Sequence, residues 1–389
     1  DYIASVGAFL PHIVVNAETG KRFGRSLDPD TNGYTSESFE EGTVGLDMTL
    51  SLFEGFSRIN QVRFRKMNKE RSEWELKEKQ NELAYQVTDA YYKLILERKL
   101  LDLALEQSRL SERYLKQTEV LVELGLKSAS DLQEVKARRE GDIYRYQSRE
   151  NSSRIALLHL KQLMNIQPGD TLAILDTITA SQLPPYSVST VETLYAQSIE
   201  ILPSIRMIDL KQKAAHKEYA IAGGAFSPSV FARFTVGSNY YNTAFSARQL
   251  RDNIGKYVGV GISFPLLSGL QRLTNQRKLK LNMYRLKNEE ELEKQQLYTD
   301  IEQTLLSLHT GYSEHQQALS QLDAETLVLK ESERKWEEGL ISVFQLMEAR
   351  NRFISAKAEL TRVRLQVDMT RKMETYYRTG SFCTLPGEK

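Results

Sequence analysis

The sequence predicts an α+β chain in which two β-hairpins alternate with two very long helical hairpins. Three observations predict it. First, two stretches alternate apolar and polar residues with period two, the pattern of a half-buried strand. Val44, Leu46, Met48, Leu50 and Leu52 oppose Gly45, Asp47, Thr49 and Ser51, and the same pattern returns as Val258, Val260, Ile262, Phe264 and Leu266. Second, neither Gly nor Pro interrupts residues 57–124, 68 residues or about 100 Å of helix. Third, the second half of the chain repeats the first at a constant offset of 214 residues.

The repeat orders the elements. Gly55 meets Gly269, Arg58 meets Arg272, Lys66 meets Lys280 and Glu75 meets Glu289. Leu83, Val87, Tyr91 and Leu94 meet Leu297, Ile301, Leu305 and Leu308. The turn "ELGLKSASDLQE" (123–134) meets "EEGLISVFQLME" (337–348). Upstream the offset is 217, where "YIASVGAFLP" (2–11) matches "YAIAGGAFSP" (219–228). Each copy opens a further strand, with Ile13, Val15 and Ala17 in one and Val230, Ala232, Phe234 and Val236 in the other. The change from 217 to 214 falls in the hairpin loop, where a length difference is tolerated most easily. A repeat of this length governs the whole fold.

The expected organisation is a first β-hairpin (1–56), a first helical hairpin (57–167) and a connector (168–203). A helix (204–223) then leads into a second β-hairpin (224–270), a second helical hairpin (271–379) and a tail (380–389). The connector holds Pro168, Gly169, Pro184, Pro185 and Pro203 and reads as irregular. The helix at 204–223 has no counterpart ahead of the first strand, and the repeat predicts a similar segment preceding Asp1.

Composition excludes several classes. With 52 Lys+Arg against 51 Asp+Glu, the net charge of +1 gives no footprint for nucleic acid. A single cysteine, Cys383, excludes an intrachain disulfide framework. No run approaches the roughly 20 apolar residues of a spanning helix. A basic, apolar leader is lacking at Asp1, as in a mature exported chain and equally in a cytosolic one. A β-barrel carries a weaker signal than a spanning helix and stays open.

Four strands cannot close a membrane barrel, which needs at least eight. Left open, the sheet exposes two edges and an apolar face. Three copies supply twelve strands, with Val44, Leu46, Met48, Leu50, Leu52, Val258, Val260, Ile262, Phe264 and Leu266 outward to lipid. Asp47, Thr49, Ser51, Arg233 and Thr235 then face an aqueous lumen. Tyr34, Phe39, Tyr240, Tyr241, Phe245 and Tyr257 lie near the loop-joined strand ends, where an aromatic belt is expected.

In its tandem repeat, its hairpins ending in "LFEGF" and "LLSGL", and its turns "VELGLKSASDL" and "WEEGLISVFQLMEA", the chain resembles the TolC-type outer-membrane efflux factors over its whole length. The loop "GRSLDPDTNG" is similar to one branch of that family. The resemblance implies a homotrimer, with a twelve-stranded barrel in outer-membrane lipid continuous with a periplasmic helical tunnel. It implies an exit duct working with a periplasmic membrane-fusion adaptor and an inner-membrane RND or ABC-type pump. No cofactor, metal or enzymatic activity is implied.

The resemblance also gives the two helical turns a role as periplasmic tips that meet the adaptor. These are Gly125, Leu126, Lys127, Ser128, Ala129, Ser130 and Asp131, and Gly339, Leu340, Ile341, Ser342, Val343 and Phe344. Independently of it, Gly after a long helix supplies a left-handed C-cap and Ser caps the returning helix. Family members carry carboxylates at the sixth and ninth positions after the second Gly, ringing the pore. Here those positions are Gln345, a departure, and Glu348, with Asp131 and Glu134 matching them in the first repeat. The alternative for these carboxylates is a solvated helix start favoured by the macrodipole.

Other signals are weaker. "DPDTNG" (Asp28, Asp30, Asn32, Gly33) begins like a calcium loop, but Phe39 stands where its bidentate Glu belongs, so a polar turn is expected. His12, His159, His216, His309 and His315 lack metal-ligand spacing. A periplasmic adaptor would have one hairpin between compact β domains, and a helical scaffold would leave four alternating strands unexplained.

Overall fold

The computed structural model describes residues 1–27, 32–36, 38–167, 169–175, 183, 189–242, 245, 247–266 and 269–382. Asp28, Asp30, Pro168, Pro184, Pro185 and Cys383 lie outside the described residues. In chain order the elements are α1 (Tyr2–Gly7), β1 (His12–Arg22), β2 (Ser26–Leu27), β3 (Tyr34–Thr35), β4 (Phe39–Glu54), α2 (Ser57–Glu123) and α3 (Ala129–Leu163). Then come α4 (Val191–Ile201), α5 (Pro203–Gly224), β5 (Ser229–Asn242), α6 (Ala247–Asp252), β6 (Gly255–Ser263), α7 (Gln271–Glu337) and α8 (Val343–Thr379). They form two compact units, Asp1–Trp74 with Arg206–Leu292, and Glu75–Ile205 with Glu293–Lys389.

The first unit is built on a four-stranded antiparallel sheet of order β1-β4-β5-β6. The two hairpins are thus joined through β4 and β5, leaving β1 and β6 as edges. Register carries the alternation across all four strands. Ile13, Met48, Phe234 and Val258 are directly opposite one another, and Leu50, Ala232 and Val260 form the next row of the same face. On the other face Val14, Asp47, Thr235 and Tyr257 share a row. Asp47 is bonded from both sides: Asn16 Nδ2 donates to one carboxylate oxygen at 3.1 Å and Thr235 Oγ1 to the other at 2.9 Å.

Three sequence expectations are corrected by this register. A bulge sets Leu52 out of the ladder, and Phe53 takes the place opposite Val230. The extra residue shifts the alternation by one, which a period-two reading cannot detect. Strand β6 ends at Ser263, so Phe264 and Leu266 lie beyond it. Pro265 has no N–H to continue a ladder. Of the expected aromatic belt, Tyr257 pairs with Thr235 and so shares the Asp47 face. Phe39 and Tyr241 have that parity too and stack on each other, with ring centroids 4.7 Å apart.

At the base of the sheet the backbones of the two repeats approach closely. Gly55 has φ +57°, and a Cβ there would fall 2.5 Å from Gly224 O. A Cβ on Gly224 would fall 2.6 Å from Gly55 O. Only glycine fits at either position. Ser57 Oγ, at the start of α2, donates to Ile221 O at 3.1 Å and ties the same junction to α5.

The second unit packs the distal parts of the long helices around apolar clusters. Leu94 and Leu308, equivalent in the repeat, are both fully buried. Leu94 packs with Ala90 and Leu160, and Leu308 with Val363 and Val367. The connector is more ordered than the sequence suggests, since it holds α4, N-capped by Thr190. Leu194, Leu202 and Ile205 pack there against Leu297, Ile301, Leu305 and Tyr377. Ser198 Oγ donates to Tyr377 O at 2.8 Å. Among the described residues, no helix is long and apolar enough to cross a membrane.

Gly55→Ala is expected to lower stability far more than Gly45→Ala, whose added Cβ meets only ordinary contacts at 3.5 Å. The left-handed backbone costs about 1–2 kcal/mol and the overpacking about 1–3 kcal/mol. Thermal unfolding followed by circular dichroism in detergent checks this ranking.

Candidate functional site

The two turns that end α2 and α7 have the same construction. Gly125 has φ +69° and Gly339 φ +74°. In the first, Leu126 N–H donates to Leu121 O at 2.8 Å and Gly125 N–H to Val122 O at 3.0 Å. In the second, Leu340 N–H donates to Lys335 O at 2.8 Å and Gly339 N–H to Trp336 O at 3.0 Å. This is the paired 6→1 and 5→2 bonding of a Schellman cap, which satisfies carbonyls the helix leaves open.

Three residues on, each chain reverses into a capping box. Ser128 Oγ accepts from Asp131 N–H at 3.1 Å, and Asp131 Oδ2 accepts from Ser128 N–H at 2.9 Å. Ser342 Oγ accepts from Gln345 N–H at 3.2 Å, and Gln345 Oε1 accepts from Ser342 N–H at 3.0 Å. Asp131 and Gln345, two of the three residues nominated for a constriction, are therefore turned back onto their own helix starts.

One cluster supports both turns. Leu110, Tyr114 and Leu115 of α2, Val135 of α3, Leu329 of α7 and Val343, Leu346 and Met347 of α8 form it, with Trp336 and Ile341 packed against it. Tyr114 and Trp336 meet edge-to-face at 5.1 Å between centroids. Beneath lies Arg350, buried, whose Nη1 donates to Tyr114 Oη at 3.4 Å and to Glu333 Oε1 at 3.3 Å. Burial pushes the Tyr114 phenol above its ordinary range. Val343 is only 7% exposed, so it belongs to this core and not to the accessible tip surface the sequence reading gave it. Its neighbours on α8, Leu346 and Met347, continue the same inward stripe.

What the turns expose is apolar. Leu126 and Leu340 are each 68% exposed and Phe344 57%. Leu124, 66% exposed, extends this surface and was missed, because in the sequence it reads as the last residue of a helix. Gly125, Ser128, Ala129, Ser130, Gly339 and Ser342 are exposed, while Lys127, Asp131 and Ile341 are half-buried.

A groove between α3 and α8 brings together what the sequence separates by 214 residues. Glu134 and Glu348 both line it, with Arg138, Phe344, Met347 and Asn351. Arg138 Nε and Nη2 are buried there with no hydrogen-bond partner among the described residues. Among the described residues no cluster of His, Cys, Asp and Glu has the arrangement of a metal site.

The two capping boxes differ in one respect that pH can read. The Ser128 N–H and hydroxyl hold the Asp131 carboxyl below its ordinary range. A carboxyl with a depressed folded-state pKa contributes stability above its unfolded value and loses it as pH falls through the folded one. Gln345 has no charge to lose. Lowering pH from about 5 to about 3, across the ordinary Asp range, is expected to weaken hydrogen-exchange protection at 128–132 and to leave 342–346 unchanged. Ser128→Ala and Ser342→Ala, which remove the caps, each cost about 1 kcal/mol.

Comparison with known proteins agrees with this architecture. The chain matches the outer membrane efflux protein family over residues 4–165 and 194–372. No curated protein matches it. Its fold is similar to the CmeC outer membrane channel of Campylobacter jejuni, with a TM-score of 0.85 at 14% identity, over 97% of this chain and 79% of that one. It is similar to the outer membrane protein VceC of Vibrio cholerae, at 0.81 and 14% identity, over 98% and 90% of the two chains. The MtrE outer membrane channel of Neisseria gonorrhoeae, solved in its open state, gives 0.76 at 18% identity, over 99% and 84%. Two tandem repeats, one four-stranded sheet and the family match lead to one conclusion: the chain belongs to the outer membrane efflux protein family, the channel proteins of the outer membrane.

Proposed function

We propose that three copies of this chain form a passive exit duct through the outer membrane, serving a tripartite efflux or type I secretion system. The observation that carries this reading is the four-stranded sheet with one apolar face and two unpaired edges. Three such sheets make a barrel of twelve strands, within the range of membrane barrels. Val44, Leu46, Met48, Leu50, Phe53, Val258, Val260 and Ile262 then face lipid. Asp47, Thr49, Ser51, Arg233 and Thr235 line the lumen. An apolar outer face in hydrocarbon needs no covering by protein.

In this reading the turns are the periplasmic ends of the duct. Exposed Leu124, Leu126, Leu340 and Phe344 give an adaptor an apolar contact, ringed by polar caps that hold the turns in shape. An inner-membrane pump of RND or ABC type delivers cargo through that adaptor. Glu348 projects from the first turns of α8 into the groove it shares with Glu134. Threefold repetition makes these carboxylates a ring of negative charge, which favours cations. Asp131 and Gln345 serve the constriction by fixing the helix starts beside it.

Two outcomes test this. Protein extracted in detergent and reconstituted in planar bilayers is expected to conduct ions with cation preference. Glu348→Ala brings the cation-to-anion permeability ratio toward unity. A non-conducting wild type, or an unchanged ratio in the variant, contradicts the duct or the role of Glu348 respectively. Leu50→Lys is expected to reduce outer-membrane assembly more than Ser51→Lys, by about 2–4 kcal/mol at mid-bilayer depth. Equal effects of the two, measured by membrane fractionation, mean that the faces are wrongly assigned.

A further inference from the structure

The repeat has a consequence at the open edges of the sheet. The register of the first hairpin reproduces the second without exception. Moving a β1 residue forward by 217 and its β4 partner by 214 turns His12↔Thr49 into Ser229↔Ser263 and Gly20↔Glu41 into Gly237↔Gly255. Every pair between β5 and β6 is recovered in this way. The two copies are therefore equivalent residue by residue in their hydrogen-bonding register.

If the hairpins are equivalent, so are the seams between them. The seam inside one chain is β4 against β5. Its counterpart is β6 of one chain against β1 of the next. From this geometry we infer the register of that intermolecular seam, an inference that rests on the trimer proposed above. Met48↔Phe234 becomes Ile262 opposite Ala17 of the partner subunit. Leu46↔Val236 becomes Val260 opposite Thr19 of the partner subunit, and Thr49↔Arg233 becomes Ser263 opposite Asn16 of the partner subunit.

The transferred register is chemically self-consistent. Parity is kept, since Ile262, Val260 and Val258 fall opposite Ala17, Thr19 and Lys21 of the partner subunit, the face of β1 that carries Ile13 and Val15. The glycine pair Gly45↔Gly237 maps onto Gly259 and Gly20 of the partner subunit, again two glycines. At the base, the close approach of Gly55 and Gly224 maps onto Gly269 and Gly7 of the partner subunit. Within the chain a Cβ on Gly7 or on Gly269 would meet nothing within 4 Å. A second copy seated in this register gives Gly7 a steric reason that the single chain does not, and adds a close approach at Gly269, whose φ of +58° already favours glycine.

Cysteine cross-linking in a Cys383→Ser background tests the seam. Residues directly opposite in an antiparallel pair have Cβ atoms about 4.5–5.5 Å apart, whereas a slip of two residues opens this to about 7–8 Å, beyond disulfide reach. Ile262→Cys with Ala17→Cys is expected to give, on mild oxidation, a reducible covalent trimer on denaturing gels. Ile262→Cys with Val15→Cys or with Thr19→Cys gives several-fold less. Ser263→Cys with Asn16→Cys, on the opposite face, repeats the result if the first pair disturbs assembly. Dominance of a slipped pair overturns the register and leaves the trimer standing. A trimeric native mass with no cross-link from any pair overturns the seam altogether. A monomeric native mass in detergent instead overturns the trimer on which the inference rests.

Discussion

An antiparallel sheet in hydrocarbon has to pair every backbone N–H and C=O, because nothing else there will bond them. The rest of this protein is organised around that constraint. β1 and β6 end the sheet with unpaired backbone, and one face is apolar in row after row. In water such a sheet would bind other edges indiscriminately. In the outer membrane its apolar face is already solvated by lipid, and only the edges need a partner. The side-chain pattern and the oligomer proposed here answer the same requirement.

The helical hairpins have a different requirement, which is a defined ending. A helix of 67 residues leaves carbonyls open at one end, and its successor leaves N–H groups open at the other. Each turn meets this with a glycine in left-handed backbone, a Schellman pair and a capping box, all within about six residues. Polar groups are thus satisfied locally, which leaves Leu126, Leu340 and Phe344 free to be apolar and exposed. The Tyr114–Trp336 contact and buried Arg350 join α2, α7 and α8 just beneath, so the two turns share one support.

Most of this was legible in the residues. Alternation marked the strands, the lack of Gly and Pro marked the helices, and the constant offset tied the two halves together. What escaped is what local pattern does not encode. The bulge at Leu52 hides inside an unbroken alternation, and only pairing with β5 reveals it. Helix α4 lies in a proline-rich connector, and its packing on Leu297 and Tyr377 is a tertiary fact. The groove shared by Glu134 and Glu348 requires two helices to meet. Other misses were readable. Pro265 announced the end of β6, the parity of Tyr257 placed it beside the polar row, and the spacing of Val343 to Leu346 and Met347 marked an inward stripe.

The duplication also bears on how the assembly comes about. Six separate hairpin units would have to surrender translational and rotational freedom at five successive encounters, each costing about 4–15 kcal/mol. Covalent linkage of two repeats makes the β4–β5 seam intramolecular, so three chains meet only twice. The segment from residue 164 to 202, which carries α4, is the tether that does this. Half of the seams then form at a concentration set by the tether and not by the amount of protein in the periplasm. Joining two hairpins in one chain thus lowers the cost of closing the ring as well as fixing the register of half its seams.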